Sequence, residues 1–198
     1  MLFNTARTRD FMPALEIEGG QIEVVEQLKV LGVQITSDLK WNENTQFITN
    51  RGYKKLWILR RLKKCGANQS ELVDIYCKHV RSILEYAAVV WHAGLTQINT
   101  VDIERVQKAA LSIILGKNYL SYNHALEVLK LKTFSERRDV LCMKFARKAI
   151  KSEKYSTWFV PDSNTQNTRR KVNQTKEACT RTSRFQKSAL PYLSSLLN

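Results

Sequence analysis

Proline and glycine are scarce in this chain, three and seven among 198 residues. So few breakers are ordinary for a helical globular domain. Carboxylates are also short: 18 Asp and Glu stand against 32 Lys and Arg, a formal net charge of +14. A polyanion is the natural partner for such a surface. No apolar run approaches the roughly 18 to 20 residues that cross a bilayer, and the N-terminus lacks the ordered regions of a signal peptide. The expectation is an intracellular protein, nuclear or cytoplasmic, with no membrane partner. Cys65, Cys77, Cys142 and Cys179 include no C-x-x-C pair, so reduced thiols are expected rather than a zinc knuckle or a disulfide framework.

The residues of phosphoryl-transfer chemistry are missing too. Two-metal catalysis needs clustered carboxylates, yet Asp10, Asp38, Asp74, Asp102, Asp139 and Asp162 are scattered, none beside another. His79, His92 and His124 form no H-x-D or H-x-x-x-H pattern and read as core or surface histidines. There is no G-x-S-x-G elbow and no Gly-rich phosphate cradle. Neither catalytic residues nor a metal or cofactor are expected.

What is present is a change of period. Residues 1–36 carry strand character, with Ile22, Val24, Val25, Leu28, Val30 and Val33 around a turn at Gly19-Gly20, and predict one or two small hairpins. From Trp41 the apolar spacing becomes three and four, predicting five helices. The first covers 41–64 and stops at Gly66. The second opens at Asn68, with Glu71 at capping-box spacing, and runs toward Trp91. The third starts near Asn99 or Thr100 and ends at Gly116, the fourth covers about 122–131, and the fifth opens at Thr133 and reaches Ile150. Residues 161–190 hold seven cations against Asp162 and Glu177 and predict a basic, partly disordered arm. Beyond it, residues 189–197 turn apolar again. The domain reading is a hairpin region over 1–38, a helical domain over 39–153 and a basic tail over 154–198.

The first helix is the informative element. Arg51, Lys54, Lys55, Arg60, Arg61, Lys63 and Lys64 fall within fourteen residues that contain no carboxylate, whereas a solvated helix usually interleaves both signs. Tyr53, Trp57, Arg60, Arg61 and Lys64 are expected to gather opposite Ile48, Leu56 and Leu59. Cations that displace counterions from phosphates, beside an aromatic ring that packs on sugars and bases, suit RNA or DNA. The candidate nucleic-acid-binding residues are Arg51, Lys54, Lys55, Trp57, Arg60, Arg61 and Lys64.

Several segments, in order, resemble one family. Lys29-Val30-Leu31-Gly32-Val33 followed by Leu39-Lys40-Trp41, then Lys54-Lys55-Leu56 with Leu59-Arg60-Arg61-Leu62-Lys63, are similar to the C-terminal region of non-LTR (LINE-type, jockey or chicken-repeat-like) retrotransposon reverse transcriptases. So are Val80-Arg81-Ser82-Ile83-Leu84-Glu85-Tyr86, Ile103-Glu104-Arg105-Val106-Gln107-Lys108-Ala109-Ala110, and Arg181-Thr182-x-Arg184-Phe185 with its apolar end. Val30 stands where the family has an aromatic residue, Asn44 where it often has His, and Ser82 where proline is frequent.

The resemblance implies a mainly α, thumb-like bundle with a hairpin remnant of the palm, in which Leu31 and Gly32 are primer-grip-like. It implies a fragment of an RNA-directed DNA polymerase, with the natural end of its reading frame at Asn198, lacking palm, fingers and catalytic aspartates. Its partners would be RNA, DNA or an RNA-DNA duplex, and the missing palm and fingers. The thumb entry also resembles the N-terminal segment of the tRNA-modifying AlkB-homologue family, so an enzyme by descent is the alternative expectation. A transposon-derived orphan product without a selected role is a third.

Overall fold

The computed structural model describes residues 16–21, 23, 25–159 and 182–198. Strand readings on residues 1–15, and most of the basic arm, lie outside the described residues. Strands β1 (Glu16–Ile17) and β2 (Gly20–Gln21) form one antiparallel hairpin, and β3 (Gln27–Val30) and β4 (Val33–Thr36) form a second. The first turn is centred on Glu18 and Gly19, both at positive φ, one residue before the expected Gly19-Gly20, because Gly20 pairs with Ile17. In the second hairpin Val30 pairs with Val33, so Leu31 and Gly32 are the whole turn, at φ 47° and 87°. That is the primed two-residue geometry that suits twisted strands.

The body is mainly helical. Helix α1 (Asn42–Lys64) ends where Gly66, at φ 87°, lets the Ala67 N–H reach the Leu62 carbonyl at 3.1 Å. Asn68 then opens α2 (Gln69–Ile75) with a complete capping box: Asn68 Oδ1 accepts from the Glu71 N–H, and Glu71 Oε2 accepts from the Asn68 N–H, both at 2.9 Å.

The single helix expected from Asn68 toward Trp91 is divided in the structure. A π-helical stretch, Tyr76–Arg81, separates α2 from α3 (Ser82–Glu85). Leu72, Tyr76, Val80 and Leu84 are spaced by four and all buried; a 3.6-residue period would walk them round by about 40° per step, and wider i→i+5 turns hold them on one face. The chain then breaks at Ala87, at φ 51°, before α4 (Ala88–Trp91). The break turns Trp91 inward, where its indole N–H donates to the Tyr86 carbonyl at 3.0 Å.

Helix α5 (Gln97–Leu115) starts earlier than expected because Thr96, rather than Asn99 or Thr100, is its cap: the Thr96 hydroxyl accepts from the Asn99 N–H at 3.2 Å. Helix α6 (Tyr122–Val128) is capped by Ser121 and α7 (Phe134–Ala149) by Thr133. The main core lies between α1, the α2–α3 helix and α5. Gly52 is at their closest approach: a Cβ there would lie 3.0 Å from Val106 Cγ1 and 3.1 Å from Leu84 Cδ2.

A smaller core joins Cys142, Ala146 and Ala149 of α7 to Phe159 and Leu193. It lies beneath α8 (Glu153–Ser156) and α10 (Ala189–Ser195), with α9 (Ser183–Gln186) leading in. The apolar end of the chain therefore docks on α7.

Candidate nucleic-acid interface

Arg51, Lys54, Lys55, Trp57, Arg60, Arg61 and Lys64 are all exposed on α1, whose buried side carries Ile48, Gly52, Leu56 and Leu59. At about 100° per residue, the centre of the outward face is Lys54, Trp57 and Arg61. Tyr53, Arg60 and Lys64 form one flank and Lys55 the other, which shifts the centre from the grouping expected. Trp57 is 58% exposed, so a large apolar area is left in water. Among the described residues, none of these seven positions pairs with a carboxylate.

Lys63 has a different role from its neighbours. Its Nζ donates to the Ile113 and Ile114 carbonyls at 2.5 and 2.9 Å, satisfying acceptors orphaned at the C-terminal end of α5. Gly116 makes room for it, since a Cβ there would lie 2.5 Å from Nζ. No sequence signal separates Lys63 from Lys64; only the facing helix does.

The hairpin adds a cation that sequence reasoning missed. Lys29 Nζ lies 4.8 Å from the centroid of the Phe47 ring, and Arg51 Cζ lies 5.4 Å from the same ring, so β3 and α1 share one basic edge. The Gln34 N–H, bonded to Asn44 Oδ1 at 3.2 Å, fixes β4 beside the start of α1. Leu31 and Gly32 sit at the tip, and Leu31 is 87% exposed. They are held from α3, not by the cations of α1: the Tyr86 hydroxyl donates to the Leu31 carbonyl at 2.8 Å.

No family model, curated protein or solved structure matches this chain.

Several other polar groups are committed to structure. Tyr76 donates to Gln107 Oε1 at 2.6 Å, Gln107 Nε2 donates to Tyr122 and to the Lys132 carbonyl, and Tyr122 bonds Glu104, which also receives the Phe134 N–H. Burial pushes the Tyr76 and Tyr122 phenols well above their ordinary range, so both stay protonated as donors. Arg137 forms a two-pronged pair with Glu85.

Arg138 is fully buried. Its Nε donates to His92 Nδ1 at 3.1 Å, which makes Nδ1 the acceptor and leaves the ring proton on Nε2, 2.8 Å from Asp139 Oδ1. The same oxygen accepts from the Tyr192 hydroxyl at 2.7 Å, linking α10 to α7.

An open groove of about 770 Å³ runs beside the hairpin, lined in part by Glu23, Glu26, Asp38 and Glu43. A hydrogen bond from Thr36 holds the Asp38 carboxyl down at about 2; Lys40, also in the lining, pairs with Asp38 at 3.1 Å, and the three glutamates leave the groove acidic on balance. Among the described residues, no three His, Cys, Asp or Glu side chains gather as a metal site, and no helix is long and apolar enough to cross a membrane.

Proposed function

We propose that this chain is a nucleic-acid-holding module that grips a phosphate backbone through the outward face of α1 and makes or breaks no bond itself. The observation that carries this reading is one helix face: seven exposed residues, six cations and Trp57, in a stretch with no carboxylate from 51 to 64. Lys54, Trp57 and Arg61 are the central contacts, and Lys29 extends the surface onto the hairpin. Such contacts bind with little regard to sequence, because phosphates carry none. A mainly α body behind a small hairpin fits the thumb of a non-LTR retrotransposon reverse transcriptase, and the duplex expected in that setting is RNA-DNA. The role without a palm is to hold, and primer extension and iron-dependent demethylation assays are expected to be blank.

The test is titration of an RNA-DNA duplex across salt concentrations. Affinity should fall steeply with salt, and the Lys54→Gln, Arg61→Gln, Lys64→Gln variant should flatten the slope by roughly two to three units, about 0.9 for each phosphate no longer neutralised. Salt-independent binding, or a variant with an unchanged slope, overturns the reading.

A further inference from the structure

A second cationic surface lies on the other core. Lys144, Arg147 and Lys148 are exposed on α7, and Lys151 and Lys154 follow in the turn and in α8, also exposed. No carboxylate interrupts residues 144–152, and Glu153 is the only one up to Trp158. At about 100° per residue, Lys144, Arg147 and Lys148 point away from Cys142 and Ala146, which are buried in the smaller core. Cations favour a helix C-terminus for its dipole, within the last turn. That accounts for Arg147 and Lys148, but not for Lys144 a turn earlier or for Lys151 and Lys154 beyond the end.

An aromatic group stands at the edge of this surface. Trp158 is 48% exposed and rests against Tyr155, ring centroids 4.9 Å apart. Tyr155 in turn lies against Phe145, at 6.4 Å, and beneath Lys154, at 5.4 Å. The indole is thus positioned by a packed neighbour and still open to solvent, as a platform for an unpaired base is. Membrane docking would call for an apolar face, and the apolar side of α7 is spent inside the second core.

This surface is separate from α1. The Lys64 end of α1 lies by the Ile113–Gly116 end of α5, where Lys63 is bonded, whereas residues 142–149 pack with Phe159 and Leu193. Helix α5 contacts both helices, and the two basic faces turn away from two different cores. We propose that Lys144, Arg147, Lys148, Lys151 and Trp158 form a second nucleic-acid site, suited to a single strand, and that one molecule bridges two nucleic-acid segments. The single-strand site stands on its own residues, whereas the bridging rests on the proposed duplex grip of α1.

The experiment uses the full chain and two oligonucleotides, a duplex carrying a donor dye and a single strand carrying an acceptor. Energy transfer between them reports bridging, and direct binding of each is measured separately. The Lys144→Gln, Arg147→Gln, Lys148→Gln variant should keep duplex binding within about twofold while losing single-strand affinity at least tenfold, its salt slope dropping by roughly two units at about 0.7 per phosphate. Bridging should disappear, and Trp158→Ala should weaken the single strand with no change in slope. Loss of duplex binding in the α1 variant alone, with the single strand still held, supports the second site; a failure of α1 to bind would leave that result intact. Thermal melting confirms that each variant folds. The proposal is overturned if the α7 variant, folded, still holds the single strand or still bridges, as it would if two copies associated. It is equally overturned if the same substitutions abolish binding to phosphatidylserine vesicles and leave the oligonucleotides untouched.

Discussion

The Tyr86 hydroxyl and the Leu31 carbonyl, 55 residues apart in sequence, meet at 2.8 Å and tie the hairpin tip to the end of α3. The bond supports a turn whose first residue, Leu31, occupies a left-handed conformation that glycine or asparagine would adopt at less cost. Tyr86→Phe removes the donor and should destabilise the hairpin by about 0.5–1.5 kcal/mol. Amide exchange of residues 27–36 should quicken while that of α5 stays unchanged. Uniform acceleration would mean that the bond supports the whole fold instead.

Lys63 and Lys64 are adjacent and should behave as opposites. Lys63→Met strips two hydrogen bonds from the end of α5, a loss of about 1–2 kcal/mol, or roughly 2–8 °C in Tm for a chain of this size. Its effect on the salt slope of duplex binding should be negligible. Lys64→Gln should leave Tm alone and reduce that slope. Equal effects at the two positions would contradict the division of labour.

Acid should loosen the chain before its carboxylates titrate. Burial holds the His92 pKa below its ordinary 6.5, against the opposing pull of Asp139, so the unfolded chain takes up this proton first. Stability is then complete above the unfolded value and declines as pH falls below it. The groups facing the ring are Arg138, Asp139 and Tyr192. Asp139, held below the ordinary 3.8 by Tyr192 and His92 despite burial, loses its share only in stronger acid. Tm should therefore drop between neutrality and about pH 5, and His92→Asn should flatten that drop.

Thiol chemistry offers an independent check on the second core. Burial pushes the Cys142 thiol up to about 11, whereas Cys65 is exposed just beyond α1. Brief alkylation at neutral pH followed by peptide mapping should find Cys65 modified and Cys142 protected until denaturant is added. Rapid labelling of Cys142 would show that α10 is not held on α7.

Much of this fold was legible in the residues themselves. Local signals carried α1, where Gly66 stops the helix, and α2, where Asn68 and Glu71 cap each other, because caps and period are encoded within a few residues. The π-helical stretch was not, since four-residue spacing from Leu72 to Leu84 reads as ordinary helix until a facing core demands one unrotated side. The break at Ala87 was hidden for a related reason: no glycine or proline marks it, and burial of Trp91 selects it. At the site, the outward cations of α1 could be read from charge pattern alone. The withdrawal of Lys63 and the arrival of Lys29 depend on α5 and on Phe47, distant partners that no window of sequence contains.

Gly52 gives the basic surface a property that none of its cations supplies. The position of the charged row is fixed from behind, by how deeply α1 settles between Val106 and Leu84, and that depth is set where a side chain is missing. A larger residue would act as a shim, raising one stretch of the helix and tilting Lys54, Trp57 and Arg61 away from Lys29 on the hairpin. The contour of the cationic row on the outside is thus gauged by a missing side chain on the inside.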